Sequence, residues 1–283
     1  MIRAALKTIG VKWKSYRHRF VPWIAVNLKK NERTLRQVTA RSEDKTVPDG
    51  EVSASLVNLF TALVKNDKTK QEVLSLLHTS VQSVYSQNTS KTQTEPVRVM
   101  LDMLGFCIER GPSSLTLAGT GVFVTEGSVP KGATVAMYPG TVYQVYEPIL
   151  IQSVANPFVF RCIDGVLIDG NDKGISKIVY RSCSGRDRMG PLALSDVSWL
   201  TDSPENPLAL GQYVNNCSNE KAANVCYQEF DVPEDFPLEL HQYLPNVNYS
   251  HDTKRPLRCV VLVSLRDIHC GEELFSNYYT IVH

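Results

Sequence analysis

After Gly111-Pro112 the sequence breaks into β-rich runs of three to five residues, each bounded by glycine, proline or polar residues. They are Val122-Phe-Val124, Thr134-Val-Ala-Met-Tyr138, Thr141-Val-Tyr143, Phe158-Val-Phe160, Val166-Leu-Ile168, Val225-Cys-Tyr227 and Cys259-Val-Val-Leu-Val263. Runs so short do not alternate with ten-residue helices, which argues against a doubly wound parallel sheet and for several small sheets. Residues 183–210 are polar and proline-bearing, and read as a loop or short-helix insertion.

The part before this texture change carries a different period. Leu56, Leu59, Phe60, Leu63 and Val64, and then Val73, Leu74, Leu77, Val81, Val84 and Tyr85, recur at three- and four-residue steps on either side of the polar stretch Lys65–Thr69. The spacing predicts a helix pair. Ser86–Thr94 is polar and reads as a linker. Pro96 stands where a first helical turn tolerates proline, ahead of Val97, Met100, Leu101 and Leu104, and Gly105 is placed to end that helix. The expected class is α+β: a basic, helical N-terminal region with its linker over 1–95, then a mainly β domain over 96–283.

Composition sets limits on function. With 43% hydrophobic and 21% charged residues the chain has an ordinary globular mixture. No run approaches 18 apolar residues, so integral membrane association is not expected. The seven cysteines, at 107, 162, 183, 217, 226, 259 and 270, are scattered without a CxxC pair, which predicts a reducing, intracellular setting and no metal site. Nucleus and cytoplasm fit that setting, and the mitochondrion stands beside them because of the N-terminal charge. Residues 1–45 hold twelve Lys/Arg against Glu32, Glu43 and Asp44, a balance of +9 that leaves −8 for the remainder of a chain whose total is +1. Three readings of that segment stand open: a helix packing on the acidic remainder, an organelle presequence, or a contact surface for a polyanion.

Common chemical signatures are missing. There is no Gly-Lys dipeptide for a phosphate loop, and the six histidines form no HExxH or HxH. Ser42–Lys45 matches SxxK by its letters alone, in a polar stretch. Gly119-Thr-Gly121, taken by itself, is a tight turn entering the Val122 strand.

An ordered set of four elements over 119–279 is more informative: Gly119-Thr-Gly-Val-Phe-Val124, Val129-Pro-Lys-Gly-Ala-Thr-Val-Ala-Met-Tyr-Pro-Gly140, Gln212-Tyr-Val-Asn-Asn-Cys-Ser218 and Gly271-Glu-Glu-Leu-Phe-Ser-Asn-Tyr-Tyr279. This order resembles the SET-domain family of protein lysine methyltransferases over roughly residues 105–280. The resemblance implies small sheets around a knot-like C-terminal crossing and S-adenosyl-L-methionine as cofactor. It implies methyl transfer by in-line displacement to a lysine amine of a protein substrate. Carried over by motif, Gly119, Thr120, Gly121, Val122 and Phe123 would receive the methionine portion of the cofactor, and Asn215 and Asn216 its adenosine and ammonium groups. Tyr278 would be the catalytic tyrosine beside the transfer axis and would also touch the cofactor. Tyr138, Tyr143, Tyr213, Tyr227, Phe275 and Tyr279 are candidates for the walls of a lysine channel, and each also suits ordinary core packing.

The sequence departs from the family pattern at Gln212 (family Arg), Asn216 (family His) and Asn277 (family Asp), and the asparagine closing the third motif is displaced to Asn219 or Asn224. No cysteine triplet follows the last motif. A second reading therefore accompanies the enzyme: a SET-derived protein-interaction module with weak or lost turnover.

Overall fold

The computed structural model describes residues 45–78, 95–115, 118–218, 220–251 and 255–277, with four further strand segments at 16–18, 20–21, 35–38 and 279–282. The linker expected at 86–94 and the end of the second helical pattern lie outside the described residues.

Helix Asp49–Asn66 buries Val52, Leu56, Leu59, Phe60 and Leu63, the stripe its spacing dictates. At about 1.5–3 kcal/mol for each large apolar side chain removed from water, that face fixes the helix to the rest of the molecule. Phe60 packs on Tyr243 and Phe236, with ring centroids 5.4 and 6.4 Å away. The chain entering this helix is held by Gln228, whose Oε1 accepts from Thr46 N and Val47 N and whose Nε2 donates to Val47 O. Helix Lys68–His78 follows after Asp67. Helix Pro96–Leu104 begins on its proline and ends at Gly105, which adopts φ +79° and donates its N–H to Leu101 O.

Strands in chain order are β1 (Tyr16–His18), β2 (Phe20–Val21), β3 (Leu35–Val38), β4 (Phe106–Pro112), β5 (Thr120–Val129), β6 (Thr134–Tyr138), β7 (Gly140–Tyr143), β8 (Val159–Arg161), β9 (Leu167–Asp169), β10 (Arg188–Met189), β11 (Leu192–Ala193), β12 (Asn215–Asn216), β13 (Val225–Asp231), β14 (Asn246–Asn248), β15 (Arg258–Ser264), β16 (Ile268–His269), β17 (Phe275–Ser276) and β18 (Tyr279–Val282). They form five small sheets, ordered β1-β18-β3, β10-β11, β12-β17-β13-β15-β6, β14-β7-β9-β8-β2 and β16-β5-β4. The architecture is α+β, as the interrupted β runs imply.

Two features go beyond the sequence reading. Helix Gly174–Arg186 begins before the stretch expected to be a loop or short-helix insertion, and its buried residues are Ser176, Tyr180, Cys183 and Ser184. An inner face on which two of four residues are serines leaves little apolar period to detect. The N-terminal region, expected to be helical, also supplies β1, β2 and β3, which are two to four residues long and exist through pairing with residues far along the chain.

The crossing that positions the site is in the third sheet. β12 and β13 are joined by residues 217–224, and β17 lies between them, parallel to both. The C-terminal part of the chain is thus threaded between two strands that follow one another in sequence, an uncommon connection.

Candidate functional site

The turn that opens β5 is closed by Ser113 N donating to Gly119 O over 2.8 Å, with Gly119 at φ +71°. One edge of β5 pairs with β4, where Gly111 faces Gly121 and Arg110 faces Val122. Its other edge takes residues 271–274: Leu274 N donates to Val122 O (2.7 Å), Val124 N to Glu272 O (3.0 Å) and Gly271 N to Val124 O (2.7 Å). Glu273 lies directly opposite Phe123.

Glu273, 6% exposed, is the centre of the arrangement. Its Oε1 accepts from Ser113 Oγ (2.7 Å) and Asn215 Nδ2 (3.3 Å), and its Oε2 from Ser114 N (2.8 Å) and Ser114 Oγ (2.6 Å). Burial works to raise its pKa, but the hydrogen bonds from Ser114, Ser113 and Asn215 outweigh that and hold the carboxyl below the usual glutamate range. Asn215 also donates to Thr120 O at 2.9 Å. Gly121 has no room for a side chain, because a Cβ there would collide with Glu273 Oε1 and stand 2.8 Å from Cδ. Gly121 and Asn215 thus meet at one carboxylate, and Asn215 ties Thr120 to it.

Asn215 and Asn216 are in register with Phe275 and Ser276. Beyond them Cys217 N donates to Ser276 O (2.9 Å), and the Cys217 thiol donates to Asn277 Oδ1 (2.9 Å). Asn224, one of the two candidates for the displaced motif asparagine, is tied to the fourth motif: Nδ2 donates to Glu273 O and Oδ1 accepts from Phe275 N, both at 2.8 Å. Asn219, the alternative, lies outside the described residues. So does Tyr278, one position after Asn277. Among the described residues neither amide atom of Gln212, which is 4% exposed, has a partner, and neither has the Ser276 hydroxyl. Buried polar groups ordinarily find partners, so unpaired donors and acceptors beside Asn215 and Asn216 suit a polar ligand or water. On that ground the residues fit a polar, charged cofactor such as S-adenosyl-L-methionine.

The aromatic candidates divide. Tyr138 and Tyr227 are buried with ring centroids 6.1 Å apart, and Phe160 packs on them at 5.3 and 5.2 Å. Tyr138 OH donates to Phe158 O (2.7 Å) and Tyr227 OH to Val214 O (3.3 Å). Tyr213 stands edge-on to Phe158, and its phenol donates to Asp172 Oδ2 (2.8 Å). Burial and that carboxylate push its pKa up to about 12. Tyr143 does not join the group and stacks on Tyr249 at 4.7 Å. Phe275 lines a cavity of about 350 Å³ with Phe123, Ser114, Asn224 and Glu273. Of the described residues assigned to the cofactor, Phe123 alone lines that cavity. The side chain of Tyr279 lies outside the described residues.

Glu273, Asn224 and Phe160 are the site residues that sequence reasoning passed over or left undecided. Glu273 stands inside the fourth motif, and an acid between Glu272 and the apolar Leu274-Phe275 is its one signal. Among the described residues one group has metal-ligand spacing, Cys162, Asp164 and Glu229. Arg258 supplies the cation there, pairing with Asp164 (3.1 Å), Glu229 (2.8 Å) and Asp231 (2.6 Å).

A glycine turn, an asparagine strand and a threaded C-terminal segment meeting in this order define a SET domain. No family model matches the chain. It is 59% identical over 293 aligned positions to SET domain-containing protein 9 of Homo sapiens, covering 98% of each, and 60% identical over 265 positions to SET domain-containing protein 9 of Pongo abelii, covering 88% of this chain and 97% of that one. The chain belongs to the SET domain-containing protein 9 family. Among solved structures it is similar to ctPRC2 in an autoinhibited conformation bound to S-adenosylmethionine, with TM-score 0.34, 16% identity, and coverage of 61% of this chain and 15% of that one. A likeness of that size carries no weight for activity or substrate.

Proposed function

We propose that the chain is an S-adenosyl-L-methionine-dependent methyltransferase acting on a lysine amine of a protein substrate. The observation that carries this reading is the meeting of Gly121 and Asn215 at the Glu273 carboxylate, with Asn215 also bound to Thr120 O, in the segment that leads directly to Tyr278. S-adenosyl-L-methionine, when bound, supplies a methyl group activated on a sulfonium. Residues 119–123 and 215–216 hold it, with the free polar atoms of Gln212 and Ser276 available nearby. The catalytic unit is 96–283, braced by helix Asp49–Asn66.

The acceptor amine must lose its proton before it can attack. With an ordinary lysine pKa of about 10.4, only about one in a thousand is neutral near pH 7.4. Desolvation of the amine on entering the site would lower its pKa. Tyr278 orients the amine, and its hydroxyl adds a fixed dipole beside the transferred methyl.

The interaction-module reading draws on a specific observation. The family's His and Asp positions are Asn216 and Asn277 here, and Asn277 Oδ1 is already taken by the Cys217 thiol. Calorimetric titration with S-adenosyl-L-methionine, paired with radiolabel transfer to lysate proteins by wild type and Tyr278→Phe, separates the two. Uptake of cofactor with transfer that falls at least tenfold in Tyr278→Phe supports the enzyme. Absence of uptake refutes it and leaves the module.

A further inference from the structure

Among the described residues, three of the four hydrogen bonds to the Glu273 carboxylate come from Ser113 and Ser114, in the turn between β4 and β5. Ser114 is exposed, yet its backbone N–H and its hydroxyl both donate to Glu273 Oε2. The fourth bond is from Asn215, which reaches on to Thr120 O, so the seryl turn and the glycine turn share one anion. Ser114 and Glu273 also lie on the wall of the cavity of about 350 Å³, together with Glu220, Glu272, Lys221 and Arg266. Arg266 is already paired with Glu272, its nitrogens 3.0 and 2.5 Å from the two carboxylate oxygens. Three carboxylates thus face two cations beside Ser114, and one of those cations is committed elsewhere. Arg110, four residues before Ser114, reaches the surface to pair with the exposed Asp202.

We infer that Ser114 is a phosphorylation site, and that a phosphoryl group there loosens the glycine turn at 119–123 by forcing Ser114 away from Glu273. The inference rests on the methyltransferase reading only for its consequence, the loss of cofactor uptake. The co-reactants are ATP and a serine kinase, and Arg110 supplies the upstream cation that one class of these enzymes reads. Ser114 Oγ forms a bond to the γ-phosphorus, the bond from that phosphorus to the β–γ bridging oxygen breaks, and ADP leaves with the electron pair. The hydroxyl proton passes to the base of the kinase. Oγ then has no proton to donate, and a charge of about −1.5 to −2 stands where Glu273 had a donor. The cavity has room for the group, so the obstacle is sign rather than bulk. Two anions at hydrogen-bond distance and shielded from water cannot stay in contact. When the seryl turn leaves, Glu273 keeps only the bond from Asn215, and the close fit of Gly121 against its Oε1 loses its anchor.

The test uses the full chain with phosphoserine installed at position 114 by codon suppression, beside wild type and Ser114→Ala. Amide hydrogen exchange at 119–123 is expected to rise at least tenfold more in the phosphoprotein than in Ser114→Ala, with 225–231 and 258–264 still protected. Because the cause is charge, that excess should shrink in high salt and vanish in a Glu273→Gln background. Exchange equal to that of Ser114→Ala, or an excess that survives Glu273→Gln, overturns the inference. Loss of protection throughout the chain makes the turn a folding element and likewise overturns it. Native full chain incubated with ATP and an arginine-directed serine kinase is expected to take a phosphate at 114 that Ser114→Ala lacks, and absence of label at 114 overturns the site. By calorimetry, S-adenosyl-L-methionine is expected to bind the phosphoprotein at least tenfold more weakly than wild type. Equal affinity overturns the inference while sparing the enzyme. No uptake by either form, with exchange at 119–123 still raised by the phosphate, sinks the enzyme and spares the switch.

Discussion

Gly121→Ala tests whether Glu273 organises the site. Gly121 does not have a positive φ, so alanine meets no backbone strain there, and the whole effect comes from its Cβ striking Glu273 Oε1. The carboxylate can yield only by giving up its bonds from Ser113 Oγ and Asn215 Nδ2. The first, to a charged acceptor, is worth about 1.5–3 kcal/mol, and the second, at 3.3 Å, about 0.5–1 kcal/mol. The expected loss is therefore about 2–4 kcal/mol. At about 2–4 °C per kcal/mol for a chain of this size, Tm should fall by roughly 4–16 °C. Urea unfolding of Gly121→Ala, Glu273→Ala and the double variant isolates the cause. Once Glu273 is shortened the obstacle is gone, so Gly121→Ala should then cost less than about 0.5 kcal/mol, and the coupling should match the single-variant loss. Equal losses in the two backgrounds would show that the alanine harms something other than Glu273 and would refute the reasoning.

Three further outcomes are expected. Asp196 is fully buried, and desolvation pushes its pKa up to about 6 from 3.8, so the native state binds the extra proton and stability should fall as pH rises from about 4 to 6; Asp196→Asn should flatten that slope in pH-dependent urea unfolding, by up to about 3 kcal/mol. Asn224→Ala strips Phe275 N and Glu273 O of their buried partners and should lower the unfolding free energy by about 2–4 kcal/mol, read by the same titration. Six of the seven free cysteines are buried and Cys270 is exposed, so a thiol reagent should label one group rapidly in native protein and the other six after denaturation; rapid labelling of two or more would contradict the packing.

What the sequence discloses depends on where a contact gets its energy. Helix Asp49–Asn66 is legible because burying Leu56, Leu59, Phe60 and Leu63 demands their spacing, and β6 is found at its observed limits because Thr134–Tyr138 is a run bounded by Gly132 and Pro139. Helix Gly174–Arg186 escapes because Ser176 and Ser184 on its inner face carry no apolar signal. Strands of two residues such as β12 and β17 have no local preference at all and are set by their partners. The site follows the same division. Gly121 and Asn215 are singled out as candidates through motif order, whereas the Glu273 network requires knowing that residues 113–114, 215 and 273 meet.

The threading of β17 between β12 and β13 has a consequence for how the molecule is made. A nascent chain that has emerged only as far as β13 has a gap in its central sheet, an unmatched pair of short edges where Phe275 and Ser276 belong. Pairings of such high sequence separation form late and slowly, and half-built sheets are the species that stick to one another. Expression at low temperature or with chaperones should raise the yield of this chain more than any change to its surface.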